Sequence, residues 1–118
     1  MESIDYKGIY QRIRLMLDNS DFTVVDLANL IGKSRQIIYN WSYGTMNPTL
    51  PELLKIANFF GVPLEYLISG KDGPIDDVTA AFLVSTKDLT EEQKNIIYAS
   101  IKAQVDMFKK INQEANKK

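Results

Sequence analysis

Apolar residues return every three to four positions along most of this chain, and nowhere do they alternate with polar ones over a useful length. Ile9, Ile13, Met16 and Leu17 share one face of a helix expected over residues 3–17, from Ser3 to Leu17, with Arg12 and Arg14 off the stripe. Asp18-Asn19-Ser20-Asp21 is turn chemistry. Thr23 then stands where an N-cap belongs, and Asp26, three residues on, completes a capping-box-like start for a second helix, 24–31. Gly32 ends it, because glycine enters the left-handed region without strain. Ser34 is placed to cap a third helix, 35–43, which Gly44 terminates. Pro51 suits the first turn of a fourth, whose stripe is Leu53, Leu54, Ile56, Ala57 and Phe60. Gly61-Val62-Pro63 breaks that helix, and Leu64 to Ile68 reads as a short fifth. The class is all-α: a five-helix domain over residues 1–70.

Ser69 to Pro74 is polar and glycine-containing, and marks a boundary before a second segment, 71–118. A helix over residues 74–86 is expected from a partial stripe of Val78, Ala81, Phe82 and Val84 or Ser85. Thr90-Glu91-Glu92-Gln93 is a capping-box pattern opening a long helix to about Asn112, with a polar tail that should fray. On it Ile97, Ile101, Gln104, Phe108 and Ile111 are spaced four, three, four and three, which is a heptad seam, and Val105 widens it with Ile96 and Met107. Such a face must bury itself on its own chain or on a symmetry mate. The mate is favoured, because the helical domain before the boundary looks complete.

The spacing between Thr23 and Gly44 has a physical logic. Two helices joined by a tight turn need a small residue where their backbones meet, a turn residue tolerant of positive φ, and apolar anchors on the second helix. Ala28, Gly32, and the pair Ile38 and Trp41 supply these in order. With Ile38 and Trp41 inward, Arg35, Gln36, Tyr39 and Asn40 face outward. Arginine can hold guanine with two hydrogen bonds, glutamine or asparagine can hold adenine, and a tyrosine ring can lie against a thymine methyl or a phosphate. A polar stripe is also the ordinary wet side of an amphipathic helix, so it is the surrounding spacing that favours base reading.

From about Ile9 to Ile68 the chain resembles the lambdoid-repressor type of helix-turn-helix domain, the Cro-like or Xre family. The residues that carry the resemblance are Ala28 with Gly32, Ile38 with Trp41, Gly44, Asn47-Pro48-Thr49, Leu53 through Ala57, and Gly61-Val62 before Leu64 and Leu67. Many members are bacterial or phage transcription regulators. The resemblance implies base reading by Arg35, Gln36 and Asn40 with Tyr39 nearby, and phosphate contacts at Thr23, Lys33, Ser34 and Asn47. Val24 departs from the glutamine that members often carry at the start of the second helix, which puts one anchoring contact in question. The function implied is sequence-specific binding of double-stranded DNA as a homodimer on an inverted repeat, with repression the common mode. Dimerisation is expected through Ile97, Ile101, Gln104, Val105, Phe108 and Ile111.

Composition excludes most other classes. There is no histidine and no cysteine, which removes the usual neutral-pH acid/base group, a thiol nucleophile, disulfides and the common zinc sites. No catalytic constellation, metal site, cofactor motif or small-molecule site is evident; Asp76-Asp77 and Glu91-Glu92 sit at expected helix starts, where the helix dipole explains them. No apolar run approaches a membrane span, and the N-terminus lacks a signal-peptide layout, so a cytoplasmic location is expected. Charge is the awkward point. Residues 1–70 hold Lys7, Arg12, Arg14, Lys33, Arg35 and Lys55 against seven acids, whereas DNA-binding domains usually carry a positive face. An interaction module of the same fold with little DNA affinity is the competing reading.

Overall fold

A computed structural model describes residues 4–116, the Lys71 side chain excepted; the expected helix start at Ser3 lies outside them. The described residues form seven α-helices: α1 (Tyr6–Asp18), α2 (Val24–Ile31), α3 (Arg35–Tyr43), α4 (Leu50–Phe60), α5 (Leu64–Ser69), α6 (Asp77–Thr86) and α7 (Glu91–Asn116), with a 3-10 turn at Gly70–Asp72. They divide into two compact units, Met1–Lys87 and Asp88–Lys118.

In the first unit α1 is the central element, packed on α3, α5 and α6, while α2 packs on α3 and α4. Its stripe of Ile9, Ile13, Met16 and Leu17 is fully covered, and meets Leu27, Ala28 and Ile31 of α2, Ile38 and Trp41 of α3, and Leu53, Ile56, Ala57 and Phe60 of α4 in one core. Burial of the isoleucine, leucine, methionine and phenylalanine side chains, each contributing about 1.5–3 kcal/mol, holds helices too short to stand alone in water. Leu54 lies outside that core, 47% exposed on the far side of α4. Phe22 stacks on Phe59 at 4.3 Å between centroids and meets Phe60 edge-on at 5.6 Å, and Lys87 Nζ lies 4.1 Å over the Phe59 ring.

The boundary expected at residue 70 falls inside this unit. Arg12, off the α1 stripe, donates from Nε to the Leu67 carbonyl at 2.9 Å and from Nη2 to the Ile68 carbonyl at 3.4 Å, satisfying the C-terminal end of α5. Gly70 turns there with φ +58°, and an added Cβ would collide with the Arg12 guanidinium. Tyr66 is wholly buried and donates to Asp77 Oδ1 at 2.7 Å, which ties α5 to the first turn of α6. Burial, then the Asp77 carboxylate, pushes the Tyr66 phenol far above its usual range, so it remains a donor. A stretch that looks like a linker is thus stapled on both sides.

The face of α6 also differs from expectation. Ala80 and Val84 enter the core with Ile75 and Leu83 against it, while Val78 is 78% exposed and Phe82 is also exposed. The helix is apolar almost all round, so its pattern names no inward face, and docking on α1 selects one.

The second unit is α7. Thr90 caps it as expected: its N–H donates to Gln93 Oε1 at 3.0 Å and its hydroxyl accepts from the Gln93 N–H at 3.1 Å. The helix continues to Asn116, past the expected end at Asn112, and none of its residues is buried.

Candidate nucleic-acid interface

The turn between α2 and α3 is built by local chemistry. Thr23 and Asp26 form the expected capping box, with the Asp26 N–H donating to Thr23 Oγ1 at 3.2 Å and the Thr23 N–H to Asp26 Oδ2 at 2.9 Å. The Thr23 hydroxyl also donates to that carboxylate, at 3.0 Å, so it is already engaged within the protein. Gly32 closes α2 at φ +70°, with its N–H on the Asn29 carbonyl and the Lys33 N–H on the Ala28 carbonyl at 2.9 Å.

Ser34 follows in extended conformation at the start of α3, but its side chain makes no cap hydrogen bond, contrary to the capping role expected of it. The first α3 amides therefore lack a side-chain acceptor. Lys33 is drawn the other way. Its Nζ lies 3.3 Å from Glu52 Oε2, across to the first turn of α4. Glu52 is 7% exposed and accepts the Thr49 N–H at 2.8 Å through Oε1. Burial raises its pKa, but the bonds from Thr49 and the Lys33 ammonium outweigh burial and hold it below the usual value. The pair pins the inter-helix turn to α4, so the entry into α3 is set by tertiary contact as well as by Gly32.

On α3, Ile38 and Trp41 are buried at 0% and 5% exposure, and Arg35, Gln36 and Tyr39 face solvent. Asn40 is different: it is half-buried, its Oδ1 accepts from Gln36 Nε2 at 3.1 Å, and its Nδ2 sits 3.5 Å from Met46 Sδ. Gln36 keeps its carbonyl oxygen and a second N–H, the donor and acceptor that an adenine edge needs. The α3 end is closed by Gly44 at φ +78°, with the Thr45 N–H on the Asn40 carbonyl at 3.0 Å. Asn47 is exposed in the loop that follows, beside a buried Pro48.

Two residues on this surface were not singled out from the sequence. Tyr43 is 74% exposed, one turn beyond Tyr39 on the same face, and the i, i+4 spacing was the available signal. Lys7 shares an open groove of about 370 Å³ with Tyr10, Trp41, Tyr43 and Asn47, where the start of α1 meets the end of α3. Nothing local in the sequence places residue 7 beside residue 47. The dimerisation residues all lie on α7, where Ile97 is half-buried and Ile101, Gln104, Val105, Phe108 and Ile111 are exposed. Among the described residues no group of histidine, cysteine or carboxylate side chains could hold a metal ion, and no helix is long and apolar enough to cross a membrane.

A capped helix, a glycine turn and a second helix anchored by Ile38 and Trp41 with a polar face outward define a helix-turn-helix protein. Residues 10–73, more than half of the chain, match the family model described as a helix-turn-helix domain, and the chain belongs to that family, as a DNA-binding transcriptional regulator of the Cro/Xre type. It is similar to the cryptic phage CTXphi transcriptional repressor RstR of Vibrio cholerae, with 27% identity over 92 residues that cover 78% of this chain and 83% of that protein. No solved structure matches significantly.

Proposed function

We propose that the chain is a repressor that binds an inverted-repeat operator as a homodimer, without catalysis or cofactor, in the cytoplasm of a bacterial or phage host. The observation that carries this reading is α3 itself: a buried back of Ile38 and Trp41 and a solvent face of Arg35, Gln36 and Tyr39 at helical spacing. Arg35 reads a guanine and Gln36 an adenine, Tyr39 packs on a thymine methyl or a phosphate, and Asn40 acts chiefly by bracing Gln36. Ser34 and the uncapped α3 amides, Asn47 and Lys7 hold phosphates; Thr23 reaches one only by giving up its hydroxyl bond to Asp26, and Lys33 only by sharing its charge with Glu52. Repression is also the activity named for the similar phage protein. The C-terminal seam of Ile97, Ile101, Gln104, Val105, Phe108 and Ile111 joins two copies.

In vitro selection of duplex DNA from a random pool tests this directly. The expected product is a palindromic consensus whose half-site centres are about 34 Å apart. A pool that never enriches, or a consensus without two-fold symmetry, refutes the homodimeric repressor. The near-neutral charge of the first unit favours a second reading, an interaction module with little DNA affinity, which predicts no salt-sensitive duplex binding in a mobility-shift assay.

A further inference from the structure

The 26 residues of α7 make a rod about 39 Å long that buries no side chain, while Ile101, Val105, Phe108 and Ile111 are 38–56% exposed along one face. We propose that this face is covered by α7 of a second copy running in the opposite direction. The proposal rests on the homodimer reading above and adds the orientation of the two helices.

Three observations select antiparallel over parallel pairing. The first is the helix dipole. Parallel packing would align the macrodipoles of two 26-residue helices side by side, whereas reversal opposes them.

The second is volume. With the four-three spacing of the seam, antiparallel packing sets each core position against one of the other kind. Ile97 then meets the partner's Phe108, Ile101 meets the partner's Gln104, and the stem of Lys94 covers the partner's Ile111. Each layer combines a larger with a smaller side chain or a polar with an apolar one. Parallel packing would press two Phe108 rings into one layer and two Gln104 amides into another.

The third is reach. In this register residue 91 of one copy is level with residue 114 of the other, so the two helix starts are 23 residues, about 34 Å, apart. That is the distance between successive major-groove faces on one side of the double helix. Parallel pairing would instead release the two DNA-binding units from points roughly 10 Å apart.

The chain has no cysteine, so a single engineered thiol reports distance cleanly. Gln113 is exposed on the side of α7 away from the seam, and Gln113→Cys carries a spin label without disturbing charge or packing. Light scattering on the full-length labelled chain comes first, then the label-to-label distance by pulsed electron resonance. Antiparallel pairing places the two sites 21 residues apart along the axis, about 32 Å. With the labels on the outer faces, the axial offset and the width of the pair combine to about 35–45 Å, and a dimer with that distance supports the proposal. A dimer with a shorter distance, about 15–30 Å, means the helices run parallel, and overturns the orientation while leaving the homodimer intact. A monomer overturns both. As a second measurement, Ile97→Cys and Phe108→Cys chains are mixed under mild oxidation. A disulfide between unlike chains, with little between like ones, is expected; disulfides between like chains alone overturn the proposal.

Discussion

Glu52→Gln isolates the tie between the helix-turn-helix turn and α4. The glutamine keeps nearly the same volume and an oxygen for the Thr49 N–H, but loses the charge that faces Lys33 at 3.3 Å. Lys33 is 44% exposed, so the ion pair is partly screened and contributes about 0.2–1 kcal/mol. Replacing a charge-assisted cap bond by a neutral one removes about 0.5–1 kcal/mol more. The expected loss is therefore about 1–2 kcal/mol near pH 7, read as a shift in the urea midpoint at constant slope. The pH dependence gives an independent check. The folded pKa of Glu52 lies below its unfolded value, so its contribution is complete above about pH 4.3 and is lost as pH falls through the folded pKa. Below that, both proteins carry an uncharged side chain at position 52 and the gap between them closes. A variant as stable as the parent at neutral pH, or a gap that stays constant on acidification, refutes the reasoning. Lys33→Met should lose a similar amount of stability; a salt slope of DNA binding reduced by about 1, with stability unchanged, would instead make Lys33 a phosphate contact.

Three further outcomes are expected. Arg35→Ala should weaken binding to the best selected site by about 1–3 kcal/mol and relax the preference at one base pair, and an unchanged preference in a repeat selection removes Arg35 from the base-reading set. Gly70→Ala should lower stability by about 1–3 kcal/mol in denaturant titration, because an alanine pays for φ +58° and displaces the Arg12 guanidinium; a neutral result would mean the α5 end is not held as described. Ile101→Asp with Phe108→Asp should give a monomer by light scattering with the unfolding midpoint of the first unit unmoved, and a persistent dimer would place the interface elsewhere.

What was legible in the sequence was whatever neighbours along the chain decide. The bounds of α2 and α3 follow from Thr23, Asp26, Gly32 and Gly44, because capping boxes and left-handed closures form between residues three to five apart. The α1 stripe and the inward pair on α3 follow from helical period, and so does the outward set Arg35, Gln36 and Tyr39. The Thr90 capping box was equally readable.

The rest depended on which partner each group found, and the local pattern does not name it. Ser34 has the residue type and backbone of a cap but not its bond, and Asn40 projects with the readers yet is claimed by Gln36 and Met46. Residues 69 to 74 have the composition of a linker and become structure because Arg12, 55 residues before Leu67, satisfies the end of α5 and Tyr66 reaches across the stretch to Asp77. On α6 every face was apolar enough, and which one turned inward was settled by the surface of α1 that it met. Local hydrogen bonds and periodicity are written in runs of three to seven residues. The choice of which polar group finds which distant partner is made only when helices pack.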